Sequence, residues 1–253
     1  LALFHPAWEL PADVGAVATT RSGGVSAAPW HSLNLGGTAG DDPQAVLANR
    51  RSLASAIAAE PVWLHQVHGA AVVRLQSAAT RDLPAADAAW TTDVDVACAV
   101  LAADCLPVLL CTSDGRAVAA AHAGWRGLAA GVLEATLVAM HQGAGVRPDE
   151  LLAWLGPSIG PQHFEVGADV LQAFGAAAGS ASSEHFQARP RADGAQRWLA
   201  DLPALAAQRL RQAGVQRISI DGRCTVAQTS DFFSFRRDGR TGRQAALIWR
   251  RAG

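Results

Sequence analysis

The chain has 253 residues, half of them hydrophobic, with 21 basic against 22 acidic side chains and a formal net charge of −1. That length can bury a substantial core, and the near-cancelling charge argues against a nucleic-acid partner, since such partners are usually met by a basic excess on one face. No uncharged apolar run reaches about eighteen residues, so a membrane span is not expected.

In chain order, the opening LALFHPAWEL lacks the basic start, apolar core and small-residue cleavage site of a secretory signal. It also lacks an initiator methionine, which leaves open what preceded Leu1. Asp42 followed by Pro43 reads as an N-cap and first helical position, with Val46, Leu53 and Ile57 on the helix face. Strand candidates follow at 71–76 (AVVRLQ), 96–102 (VACAVLA), 106–111 (LPVLLC) and 116–122 (RAVAAAH). Leu128, Val132, Leu133, Leu137 and Met140 then recur at helical spacing after the GWRG turn. LLAWLG (151–156) is another strand, and the small, polar segment 175–194 is the best candidate for a mobile excursion. Asp201 caps a helix carrying Leu202, Leu205, Ala206 and Leu210, with Gly214 as its stop. RISI (217–220) and AALIW (245–249) close the pattern. Several strands are apolar on both faces, as strands covered on both sides are. The reading is one α/β domain over residues 1–253. Its four cysteines sit in apolar segments, not in a dense loop-rich framework, which points to reduced thiols in the cytoplasm.

Three residues near the ends of these elements carry chemistry: His68 before Gly69, Cys105 between two apolar runs, and His122 at the end of AVAAAH. Together they make a thiolate and two imidazoles, a donor set that suits zinc and leaves a fourth position for water or substrate. Spacing alone does not select this reading, because there is no CxxC pair and no HExxH helix. A buried cysteine with two hydrogen-bonded histidines explains the same residues. So does Cys105 as a nucleophile with His122 as its base. Asp104 can orient a histidine in either functional reading.

The motifs TTRSGGVS (19–26), SLNLG (32–36), HQVHG (65–69), AADCLPVLL (102–110), AAHAGWRGL (120–128), LGPSIGPQHFEVG (155–167), DLP (201–203), RCT (223–225) and FFSFRRDGRTGRQAALIW (232–249) follow in order along the chain. In this the sequence strongly resembles the YfiH/laccase-domain family, also called the multicopper polyphenol oxidase family. The resemblance implies a layered α/β sandwich with mixed sheets between helices, without Rossmann topology. It also implies a metal centre, usually zinc, at His68, Cys105 and His122. The chemistry it implies is phosphorolysis of purine nucleosides such as adenosine, inosine and methylthioadenosine, with adenosine deamination as a companion. Family members have also been described as copper-dependent phenol oxidases and linked to correction of peptidoglycan precursors. Two departures are visible: Phe235 stands where the family often has tyrosine, and GTAGDDP (37–43) lacks the histidine or cysteine often found before the GD pair.

A blue-oxidase copper cluster needs many imidazoles, usually in HxH pairs, and this chain has eight histidines and no such pair. His65 is as well explained by a loop or helix rim as by a metal. A single mixed site can still take copper by substitution, since affinity rises toward copper along the divalent series. Phosphorolysis needs an anion site, and Arg126 at a helix start, with Arg21 in TTRSGG, can supply it. Arg236 and Arg237 are further candidates, or else a solvated surface pair. Asn34 either holds a ribose hydroxyl or base edge, or caps a turn. Trp125 either stacks on a purine or packs; Glu165 has the same ambiguity. The expected site is thus catalytic His68, Cys105, His122 and Arg126, with Arg21, Asn34 and Arg237 on the substrate.

Overall fold

The computed structural model describes residues 1–76, 85–175 and 184–252. Strands β1 (Leu3–Phe4) and β2 (Val14–Thr19) precede the helix α1 (Pro43–Ile57). Next come β3 (Glu60–Trp63), β4 (Val72–Arg74), β5 (Ala88–Thr91), β6 (Val96–Ala102), β7 (Leu106–Thr112) and β8 (Val118–Ala123). Helices α2 (Trp125–Ala129) and α3 (Val132–Ala144) lead into β9 (Leu151–Leu155), β10 (Glu165–Val166) and α4 (Ala168–Ala173). The chain continues through β11 (Phe186–Ala188), β12 (Trp198–Ala200), α5 (Leu202–Gln212), β13 (Arg217–Ile220), α6 (Phe235–Asp238) and β14 (Gln244–Arg250).

The strands form a five-stranded sheet ordered β1-β2-β14-β6-β3 and a six-stranded sheet ordered β13-β9-β7-β8-β5-β4, with a small sheet β10-β12-β11. Both larger sheets are mixed: β3–β6, β4–β5 and β9–β13 pair parallel, and the remaining neighbours antiparallel. Side-chain alternation decides how they stack. On β7, Leu106, Val108 and Leu110 join a cluster with Leu128, Leu133, Met140, Leu205 and Leu210 from α2, α3 and α5. Leu109 and Cys111 point the other way, against Val100, Ala246 and Ile248 of the five-stranded sheet. The outer face of that sheet, with Val17, Ala99 and Leu247, is covered by Leu53 and Ile57 of α1. The result is a layered α/β sandwich, and every residue of β7 and β8 is buried. Full burial of each leucine on β7 contributes roughly 1.5–3 kcal/mol.

Local signals translate directly at two helices. Asp42 caps α1 by accepting from the Gln44 amide at 2.9 Å, and Asp201 caps α5 by accepting from Ala204 at 2.9 Å. The helical spacing from Leu128 to Met140 covers two helices, because Gly131 takes φ 90° and breaks the chain between α2 and α3. Their apolar faces still enter one core. The strand expected over 71–76 is shorter, at Val72–Arg74, and β2, β3 and β5 escaped the periodicity reading. Within the expected mobile excursion, β11 pairs with β12 in an ordered ladder, whereas residues 176–183 lie outside the described part. Among the described residues, no helix is long and apolar enough to cross a membrane.

Candidate metal centre and its cleft

Strands β7 and β8 run antiparallel with Leu106 opposite Ala123 and Pro107 opposite His122. One step further, Cys105 meets Gly124, where a Cβ would lie 2.8 Å from the Cys105 sulfur and 3.2 Å from the His68 ring. Glycine at that position is what lets the thiol sit against the strand end. His122 lies on the neighbouring strand and is only 3% exposed. His68 arrives from the loop after β3, and its ring centroid stands 4.8 Å from that of His122. The donor atoms of His68, Cys105 and His122 all lie within 4.8 Å of one another.

A fully buried carboxylate, Asp87, organises this cluster. It accepts from the backbone amides of Val67, His68 and Gly69 at 3.1, 2.9 and 2.7 Å, holding His68 in a left-handed conformation at φ 62°. It also accepts from the Nδ1 side of His122 at 2.8 Å, which leaves Nε2 as the ring nitrogen turned to Cys105. Burial opposes its charge, but the His122 bond and the Gly69 and Val67 amides outweigh that and hold the carboxyl below its usual range. This is the role the sequence reading gave to Asp104. The neighbouring residue does something else: at φ 97°, Asp104 accepts from Thr225 Oγ1 and from the Arg236 amide, both at 2.6 Å. Those bonds hold a backbone geometry that costs a non-glycine residue about 1–3 kcal/mol. Asp87 had no motif to mark it, because its function comes from pairing across β5 and β8, where the His122 amide bonds to the Asp87 carbonyl at 2.7 Å.

Electrostatics favour a charged cluster. Burial alone would push the Cys105 thiol up, but His122 and His68 bring it down to about 6. Burial likewise opposes charge on His122, yet Cys105 and Asp87 raise it to about 9. The metal-free cluster is therefore a thiolate beside an imidazolium near neutral pH. A soft sulfur anion, two imidazoles and an aspartate fixing one ring are the donor chemistry of a zinc site, and the three donors face open space.

That space is a cleft of about 460 Å³, lined by all three cluster residues and by Trp125, Arg126, Phe235, Arg236 and Arg243. The volume falls within the roughly 300–1,000 Å³ usual for small-molecule sites. Arg126 stacks on Trp125 at 4.4 Å, and its guanidinium makes no hydrogen bond to protein among the described residues; its carbonyl accepts from the Ala130 amide within the helix. Arg243 donates to the Thr241 and Gly242 carbonyls through Nη1 only, and burial lowers its pKa. Phe235 is 58% exposed at the cleft mouth. Arg243 was missed by the sequence reading; its place opposite SLNLG depends on the amide bond from Arg243 to Asn34 Oδ1, 209 residues apart.

Other expected residues lie elsewhere. Asn34 is fully buried, bonded to Asp41, Gly36 and the Arg243 amide, so it builds the turn and does not line the cleft. Arg21 donates to the His31 and Thr229 carbonyls. Arg237 is consumed by the Thr225, Val226 and Phe232 carbonyls and by Asp238. Glu165 pairs with Arg191. His65 lines the cleft but is outside the donor cluster.

Known proteins match the chain over nearly its whole length. Residues 15–251 match the family described as multi-copper polyphenol oxidoreductase laccase. A purine nucleoside phosphorylase of Pseudomonas aeruginosa is 51% identical over 248 residues, covering 98% of both chains. The purine nucleoside phosphorylase YfiH of Escherichia coli is 46% identical over 252 residues, again covering 98% of both. A crystal structure of a Neisseria meningitidis protein superposes with a TM-score of 0.90 at 44% identity over the full length of both chains. YlmD from Geobacillus stearothermophilus superposes with a TM-score of 0.87 at 32% identity, covering 95% of this chain and 93% of its own.

Proposed function

The chain belongs to the multi-copper polyphenol oxidoreductase laccase family, and from that premise we propose that it is a zinc-dependent purine nucleoside phosphorylase, one domain over residues 1–253. Its substrates would be adenosine, inosine or methylthioadenosine with phosphate, and adenosine deamination would be a companion activity. The observation that carries the reading is the convergence of His68, Cys105 and His122 on the wall of a cleft that also holds Arg126 and Arg243. Relatives sharing about half their residues with this chain bear the phosphorylase name.

Phosphorolysis joins a phosphate oxygen to C1′ as the bond from C1′ to the purine nitrogen breaks; the purine leaves with the electron pair and takes up a proton. Arg126 and Arg243 present guanidinium N–H groups without protein acceptors, suited to gripping and orienting a phosphate dianion. Phe235 and Trp125 offer aromatic surface for the base. His68, Cys105 and His122 would hold the zinc, with Asp87 keeping Nε2 of His122 turned to it. A metal bound there would supply Lewis-acid chemistry. The aromatic lining at Trp125 and Phe235 would limit the water that otherwise competes as the nucleophile.

Copper oxidation by a multinuclear cluster is a poorer fit: among the described residues a single group of three donors could hold a metal. Copper would enter that one site only by substitution, since affinity rises toward copper along the divalent series. All four cysteines are free thiols, in keeping with the cytoplasmic location expected from the sequence.

The test pairs metal analysis of the purified protein with inosine turnover, with and without phosphate. Hypoxanthine and ribose 1-phosphate should form only when phosphate is present, and a folded His122→Ala variant should lose the activity. Zinc-bound protein that releases no hypoxanthine would overturn the assignment. Turnover of phenols that needs added copper and oxygen, but no phosphate, would replace it with the oxidase reading.

A further inference from the structure

Two of the ordered motifs, LGPSIGPQHFEVG and RCT, contribute no residue to the metal cluster, yet the fold brings them together. The turn Gly160–His163 is closed by the His163 amide donating to the Gly160 carbonyl at 3.0 Å. Its first residue donates its backbone N–H to the Cys224 sulfur at 3.2 Å, and the ring Nδ1 of its last residue stands 3.6 Å from the same sulfur. The approach is close: a Cβ at Gly160 would lie 3.1 Å from the Cys224 Cβ and 3.2 Å from its sulfur, so Cys224 would have to give way by a few tenths of an ångström. Arg236 steadies the turn by donating to the His163 carbonyl at 3.3 Å.

The four thiols are thereby sorted. Burial raises the Cys98 thiol far above its ordinary range and pushes Cys111 up to about 12, leaving both inert. Cys105 belongs to the metal cluster. Cys224 alone combines partial exposure, an imidazole within contact and an N–H aimed at sulfur.

We propose that Cys224 and His163 form a second, metal-independent reactive site whose thiol is modified by hydroperoxides. His163 takes the thiol proton, and the sulfur then attacks the terminal oxygen of the peroxide. An S–O bond forms as the O–O bond breaks, and the departing hydroxide or alkoxide collects the proton from His163 and leaves as water or alcohol. Sulfur loses two electrons to become a sulfenic acid, and the peroxide gains them. The Gly160 N–H, already directed at sulfur, stabilises its negative charge before attack. A low-molecular-weight thiol restores the residue through a mixed disulfide. The site lies directly behind the cleft wall, because the next residue, Thr225, donates to Asp104 beside Cys105.

The test uses the zinc-loaded, full-length protein, treated with hydrogen peroxide and a sulfenic-acid trap, or with iodoacetamide, and mapped by peptide mass spectrometry. Cys224 should be trapped and alkylated ahead of Cys98, Cys111 and metal-protected Cys105. His163→Gln should slow both reactions at Cys224 about fivefold or more, with the melting curve and zinc content unchanged. Equal labelling of Cys224 in the wild type and His163→Gln would overturn the proposal. So would a Cys224 rate no higher in the native protein than in the urea-unfolded chain, a comparison that needs no variant to fold.

Discussion

Replacing Asp87 by asparagine isolates the residue that holds the proposed metal centre together. In the native site Oδ1 receives the His68 amide and the His122 ring, while Oδ2 receives the Val67 and Gly69 amides. An asparagine amide group has to occupy one of those places. At the Oδ2 place, its N–H₂ faces two backbone donors, and the HQVHG turn loses the bonds that keep His68 at φ 62°. At the Oδ1 place, it faces the His68 amide and forces Nδ1 of His122 to accept, moving the ring proton to Nε2, the nitrogen a metal needs. Either way a buried charged contact is broken, an effect of about 3–5 kcal/mol in metal-free stability. Loss of an outer carboxylate on a metal-bound histidine lowers metal affinity by about 10–100-fold. Urea denaturation of the chelator-treated protein measures the first quantity, and zinc competition against a chromophoric chelator the second. A variant whose zinc affinity stays within about threefold of wild type would refute the claim that Asp87 sets the ring orientation.

Gly124→Ala should reduce zinc affinity more than it reduces stability, because its Cβ lands 2.8 Å from the Cys105 sulfur; overpacking of this kind costs about 1–3 kcal/mol. Zinc stoichiometry alongside a melting curve separates the two effects. Arg126→Ala should raise the KM for phosphate about tenfold or more, the worth of a charge-assisted contact, and leave zinc content unchanged; an unaltered phosphate KM removes Arg126 from the anion site. For pH, Cys105 is depressed to about 6 and His122 raised to about 9, so the metal-free pair is charged between those values. Its contribution to stability is lost as pH falls through about 6, where Cys105 takes up a proton, and as pH rises through about 9, where His122 gives one up. At pH 7.5 zinc must then displace about one proton, from His122. Calorimetry in two buffers of different ionisation enthalpy reads that number, and zero release would contradict the charged pair.

Several features were legible in the chain alone because their physics is local. A helix cap needs only the aspartate and the two or three residues after it, so Asp42–Pro43 and Asp201 announced α1 and α5. The strands at β6, β7, β8 and β14 declared themselves by continuous apolar runs, since a strand covered on both sides has no polar face. His68, Cys105 and His122 were nameable because the motifs around them resemble a family, while their residue types alone left three chemistries open. Which side chains meet was a matter for the tertiary structure. Asp87 and Asp104 are equivalent as isolated carboxylates; the β5–β8 register turns one toward His122 and leaves the other to Thr225 and Arg236. Arg237 and Arg243 look alike in the chain, yet the first is spent on main-chain carbonyls and the second opens on the cleft. Asn34, a fair candidate for a ribose contact, is spent on closing its own turn and receiving Arg243. Hydrogen-bond partners far apart along the chain are set by strand register and sheet stacking, and those are properties of the whole core that no short window of sequence contains.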